Sequence, residues 1–141
     1  MKALSSTFIA PTTRELIKAF KEFRSHAGDA LKSKQCCLDF FYAVECGLKA
    51  ILIQQKFNDR LPENFKTHDI NKLIDNIDNF VCMRINDRCN LPHNKSYNSK
   101  NLHIILRYGI KISDVEWKKF AESLNTIYDT IAKRIRRDRL I

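Results

Sequence analysis

The side chains best placed for chemistry are a glutamate and a lysine inside an apolar run, and a histidine–aspartate step shortly after it. The run is Phe40-Phe41-Tyr42-Ala43-Val44-Glu45-Cys46-Gly47-Leu48-Lys49-Ala50-Ile51-Leu52-Ile53, and the step is Thr67-His68-Asp69-Ile70. Glu45 and Lys49 stand in the favourable i,i+4 order for an ion pair on a helix. Charges embedded among apolar residues must be paired or hydrogen-bonded. His68 and Asp69 fall where a helix start needs acceptors and negative charge. These four residues read as fold signature and cap. His103 and Arg107, with Tyr108 next to them, form a second constellation; on a helix the first two share a face. His26 has no recognisable partner.

Other chemistries are thinly supported. Five cysteines are an odd number, Cys36 and Cys37 are adjacent, and no Cys-x-x-Cys pair occurs. They read as reduced thiols, several of them core residues. Cys82, Cys89, His93 and His103 could be drawn as a zinc site, but intervals of six, three and nine residues match no standard ligand spacing. No metal or other cofactor is expected. No glycine-rich phosphate loop is present, which excludes P-loop nucleotide hydrolysis. Nothing fixes a thiol beside a histidine for nucleophilic catalysis.

The elements that must position these residues are helical. The chain has 141 residues, is 44% hydrophobic, and contains only three glycines and three prolines. That length suits a single domain over residues 1–141, with 1–11 as an N-terminal extension. So few breakers favour long helices. Thr12 and Glu15 fit a capping box, after which Leu16, Ala19, Phe20, Phe23 and Ala27 recur at helical spacing up to Gly28. A second helix is expected from about Leu31 to Phe57, apolar round most of its circumference and therefore central. Gly47 within it suggests the close approach of a neighbour. A loop follows from Asn58 to Lys66. Thr67 is expected to cap a third helix whose apolar face runs through Ile70, Leu73, Ile74, Ile77, Phe80 and Val81.

The stretch from Arg84 to Lys100 reads as a long polar loop. A short helix is expected around Leu102, Ile105 and Leu106. The last starts at Ser113, boxed by Glu116, and carries Trp117, Phe120, Leu124, Ile127, Ile131 and Ile135. The fold class is all-α, a compact bundle of four to five helices. No apolar run reaches the length of a membrane span, and the N-terminus reads poorly as a signal peptide, so a cytoplasmic protein is expected.

The formal charge is +9, and Lys133, Arg134, Arg136, Arg137 and Arg139 crowd a basic C-terminal tail over residues 133–141 opposed only by Asp138. Such charge suits a polyanionic partner, nucleic acid or an acidic protein. It also suits a helix C-terminus, where cations complement the dipole.

Taken in order, Glu45-Cys46-Gly47-Leu48-Lys49-Ala50-Ile51-Leu52, Thr67-His68-Asp69-Ile70-Asn71-Lys72-Leu73, Arg107-Tyr108-Gly109 and the long final helix resemble the HEPN domain family. These are small helical modules of prokaryotic defence, toxin–antitoxin and nucleotidyltransferase-associated proteins. The resemblance spans roughly residues 14–136 and implies an HEPN-like bundle in which Arg107 and Tyr108 face a groove between helices; His103 joins them by spacing alone, its order with Arg107 being the reverse of the family's nuclease motif.

Nuclease members of the family cleave RNA without metal at a dimer interface, using an arginine and, four to six residues on, a histidine. Histidine suits general acid–base work on a ribose 2′-hydroxyl, and arginine can clamp a phosphate. Arg88 and His93 satisfy that bare spacing. Cys89 stands where a polar residue is usual, Pro92 disfavours a continuous helix, and Lys95 replaces the common tyrosine. The resemblance thus implies an RNA-directed protein, a homodimer or the partner of a cognate protein, with metal-independent ribonuclease activity. Its alternative is a non-catalytic module that binds a nucleotidyltransferase-type partner or a nucleotide. A purely structural helical adaptor is a third reading.

Overall fold

The apolar periodicity and the caps translate directly into helices. The computed structural model describes residues 11–28, 33–57, 60–85, 88–91 and 95–139, with the backbone alone at 88–91 and 95–99. Five α-helices are described: α1 (Thr13–Ala27), α2 (Lys34–Lys56), α3 (Ile70–Asp75), α4 (Leu102–Arg107) and α5 (Asp114–Arg137). The expected all-α bundle is the architecture found. Thr12 and Glu15 form the reciprocal capping box of α1. Ser33 Oγ accepts the Cys36 N–H at the start of α2, and Ser113 Oγ accepts that of Glu116 at the start of α5.

α2 is the axis of the bundle. Phe40, Phe41, Val44, Leu48, Ile51 and Leu52 are buried in it, and α1, α3, α4 and α5 all pack against it. Each of these large side chains contributes about 1.5–3 kcal/mol when removed from water. A Cβ placed on Gly47 would lie 2.6 Å from Ile131 Cγ2 and 2.8 Å from Phe20 Cδ1. Gly47 therefore lets α1 and α5 approach α2 more closely than a side chain there would allow. Phe20 of α1 stacks on Tyr128 of α5 with centroids 4.9 Å apart, and Phe40 meets the same ring edge-on at 5.2 Å.

Two side-chain amides clamp backbone segments onto the bundle. Gln55 Nε2 donates to the Asp78 carbonyl at 2.8 Å, and the Asp78 N–H donates to Gln55 Oε1 at 2.7 Å. The buried Asn71 does the same to both backbone groups of Ile85, each at 2.8 Å.

Three expectations need correction. Thr67 does not cap the third helix: Asp69 does, accepting the Lys72 N–H, while Thr67 Oγ1 accepts the Asp69 N–H. A carboxylate suits the helix's positive end better than a hydroxyl two residues further out. The same helix stops at Asp75 and does not run through Val81, which is 95% exposed. Chain reversal by the Gln55 and Asn71 clamps outweighs the apolar periodicity there. Finally, the polar stretch from Arg84 to Lys100 is not all loop. Strands β1 (Arg88–Leu91) and β2 (Lys95–Asn98) pair antiparallel, with Arg88 opposite Asn98.

Gly47→Ala should destabilise the protein by about 1–3 kcal/mol in urea unfolding, because overpacking outweighs alanine's better helix propensity. Unchanged or higher stability would show that α1 and α5 do not close on α2 at this point.

Candidate functional site

α2 turns Tyr42, Glu45 and Lys49 toward the segment that enters α3. The side chains of Lys49 and Glu45 are only 10% and 8% exposed. Lys49 Nζ donates to Glu45 Oε2 at 2.7 Å, and Glu45 Oε1 lies 2.7 Å from His68 Nδ1. With Glu45 ionised, Nδ1 carries the proton and the imidazole presents Nε2 as its other face. One carboxylate therefore joins the middle of the core helix to the residue before the α3 cap.

α4 completes the site from the other side. The His103 ring lies against the His68 ring, with centroids 4.0 Å apart and planes inclined by 32°. Phe41 stacks on His103 at 6.2 Å, and Tyr42 meets His68 edge-on at 6.4 Å. His103 Nδ1 is buried without a hydrogen-bond partner of good geometry. Burial pushes the His103 pKa down from its ordinary value, and the neighbouring His68 and Arg107 push the same way; Glu45 and the Lys100 backbone oppose them. His103 is thus held toward its neutral, proton-accepting form. Burial raises the Tyr42 phenol, with Arg107 partly offsetting it. Arg107 and Tyr108 are exposed at the end of α4, the guanidinium carbon 5.5 Å from the Tyr108 ring centre.

The residues entering and leaving the first two helices close the other flank. Thr12 and Arg60 form an isolated bridge, and the Leu61 N–H donates to the Pro11 carbonyl at 3.3 Å. Under this tie lies a cavity of about 230 Å³ whose walls include Glu45, Cys46, Lys49, Lys66 and His68. Burial pushes the thiols of Cys46 and Cys37 up to about 12, so neither is a ready nucleophile.

The predicted site residues fall into three groups. Glu45, Lys49 and His68 make one bonded chain, and His103 joins it through ring contact, so the fold signature and the groove residues are one site. Asp69 caps α3 beside it. Arg88 has its backbone in β1, extended rather than helical, and His93 lies outside the described residues. In the tail, Asp138 holds Arg134 Nε at 2.8 Å and Arg137 Nε at 3.2 Å, while Lys133, Arg136 and Arg139 are exposed. Sequence reasoning missed Tyr42 and the meeting of the two histidines. The heptad spacing of Tyr42 and Lys49, with Glu45 between, was the available sign that all three share a face. Among the described residues no group of histidine, cysteine and acidic side chains could hold a metal ion. No helix there is long and apolar enough to cross a membrane. Comparison with family models, curated proteins and solved structures finds no match to this chain.

The lowered His103 pKa makes stability pH-dependent. The unfolded chain takes up a proton at this residue near pH 6.5, before the folded protein does. Stability should therefore fall as the pH drops through and below that value. In urea unfolding across that interval, His103→Gln should lose less stability than the wild type. Equal losses would show that His103 is not held neutral by the site.

Proposed function

We propose that the protein is an HEPN-like, RNA-directed effector of a prokaryotic defence or toxin–antitoxin system, acting as a homodimer or with a cognate protein. Its reaction is metal-independent cleavage of an RNA phosphodiester in the groove of His68, His103, Arg107 and Tyr108. The observation that carries this reading is the pair of imidazoles 4.0 Å apart, one bonded through Nδ1 to a buried carboxylate and the other partly buried with its Nδ1 shielded from water.

Two such groups divide acid–base labour. Neutral His103 accepts the proton of the ribose 2′-hydroxyl as that oxygen attacks the adjacent phosphorus. His68, when both ring nitrogens are protonated, keeps Nδ1–H on Glu45 and gives its Nε2 proton to the departing 5′-oxygen, leaving a 2′,3′-cyclic phosphate. Arg107 binds the non-bridging oxygens, where charge accumulates. The exposed Tyr108 ring offers a face on which a base stacks. The ordered HEPN-like signatures support the RNA-directed part of this reading; the assignment of roles to His68, His103 and Arg107 rests on the geometry of the site.

A second reading is a non-catalytic module that takes up a nucleotide. It is favoured by the cavity beside His68, whose walls include Lys49 and Lys66.

Incubating labelled single-stranded RNA with the purified protein and excess EDTA tests the proposal. Cleavage with cyclic-phosphate ends is expected, and His68→Ala or His103→Ala should each slow it about 10²–10⁴-fold. Arg88→Ala and His93→Ala should remain near the wild-type rate. Loss of activity in those two alone would move the chemistry to the β1 region. Nucleotide binding without any cleavage would favour the module.

A further inference from the structure

The observation that leads beyond this site is on the opposite flank of α1. Arg14, Lys18 and Lys21 recur at i, i+4 and i+7, forming an exposed stripe beside the buried Leu16, Ile17 and Phe20. The stripe borders an open groove of about 800 Å³, which Gln54 of α2 and Asp138 and Arg139 beyond α5 also line. Among the described residues, none of these four cations has an ion-pair partner. The one carboxylate in the lining, Asp138, is occupied by Arg134 and Arg137, and both arginines hold its pKa below the usual carboxylate range. Glu15, on the same helix, is engaged by the capping box with Thr12.

Arg139 adds an independent sign. Its φ is +57°, the left-handed conformation that ends many helices and normally falls to glycine. A side chain there is costlier than glycine. The helix end is built at that cost, and a cation is thereby set on the groove wall.

We infer that this groove is a track for the phosphodiester backbone of single-stranded RNA. The inference rests on the RNA-directed reading above and names where the strand is held outside the reacting groove. From Arg14 to Lys21 the stripe rises about 10 Å, long enough to meet more than one phosphate of a strand. A row of exposed cations on an open wall matches an extended polyanion, whereas a lone phosphate is met by convergent, enclosed donors. The contacts carry no base information, so binding here is sequence-independent and salt-sensitive.

Fluorescence anisotropy with a labelled oligouridylate, under EDTA and using His103→Ala to prevent cleavage, tests the inference. The charge-reversed pair Lys18→Glu/Lys21→Glu in that background should bind at least tenfold more weakly. Its plot of log K against log salt should flatten by about 1.4, since each lost single-strand phosphate contact removes about 0.7. The control pair Lys118→Glu/Lys119→Glu carries the same charge change on exposed α5 positions about 30 Å of helix away from Asp138. It should keep both affinity and slope, and thermal unfolding should show all variants folded. Equal weakening by the two pairs would overturn the groove as a site and leave only net charge. Polyglutamate binding with the same dependence on Lys18 and Lys21 would overturn RNA as its occupant. Binding lost in Arg107→Ala but kept in the groove pair would overturn the track while sparing the proposed function. Cleavage by the wild type with no oligouridylate binding would do the same, whereas absence of both binding and cleavage would overturn the two readings together.

Discussion

The Glu45 carboxylate is the constraint on which the rest of the structure depends. It is buried in the central helix of the bundle, where leaving water costs several kcal/mol per ion. Lys49 satisfies one of its oxygens and His68 the other, each at 2.7 Å. Replacing such a pair by well-packed apolar residues is often neutral or stabilising, so stability alone does not account for a carboxylate here. What the carboxylate adds is position. It binds the entry of α3 to the centre of α2 and fixes the tautomer and orientation of a half-exposed imidazole. His103, brought by α4, then meets a ring that already has one orientation.

Packing elsewhere serves the same end. Gly47, two residues from Glu45, lets α1 and α5 close on α2, so the axis that carries the carboxylate is gripped on both sides. The Asn71 clamp holds the chain leaving α3 against the core before it runs into the β1–β2 hairpin. The Pro11–Leu61 tie seals the other flank. The cations divide by environment as well. Arg24 lies over Phe40 and Tyr128, and Arg134 over Phe80, as parts of the packing. The α1 stripe has no such employment and faces solvent.

The helical fold was legible because its signals are local. Thr12 with Glu15, the stripes of α1 and α5, and the all-round apolar character of α2 each declare an element within a few turns. Even the close approach at Gly47 follows from a glycine in a buried helix. The end of α3 was not legible, because two amides reaching from Gln55 and Asn71 decide where the chain turns, and neither belongs to the local pattern. The hairpin was hidden by polar residues without alternation. In the site, Glu45 and Lys49 were evident as a pair, and His68 as part of a helix start. That His68 and His103 meet is a tertiary fact, set by how α4 docks on α2, and no spacing records it. The cationic groove was likewise invisible, since it joins the first helix to the last residues of the bundle.

The most direct measurement is the tautomer of His68, read from imidazole nitrogen shifts by NMR at neutral pH in the wild type and in Glu45→Gln. A protonated Nδ1 is expected in the wild type and its release in the variant, with the His103 signals shifting as well because the two rings touch. A wild-type His68 in the Nε2–H form, indifferent to Glu45→Gln, would contradict this expectation.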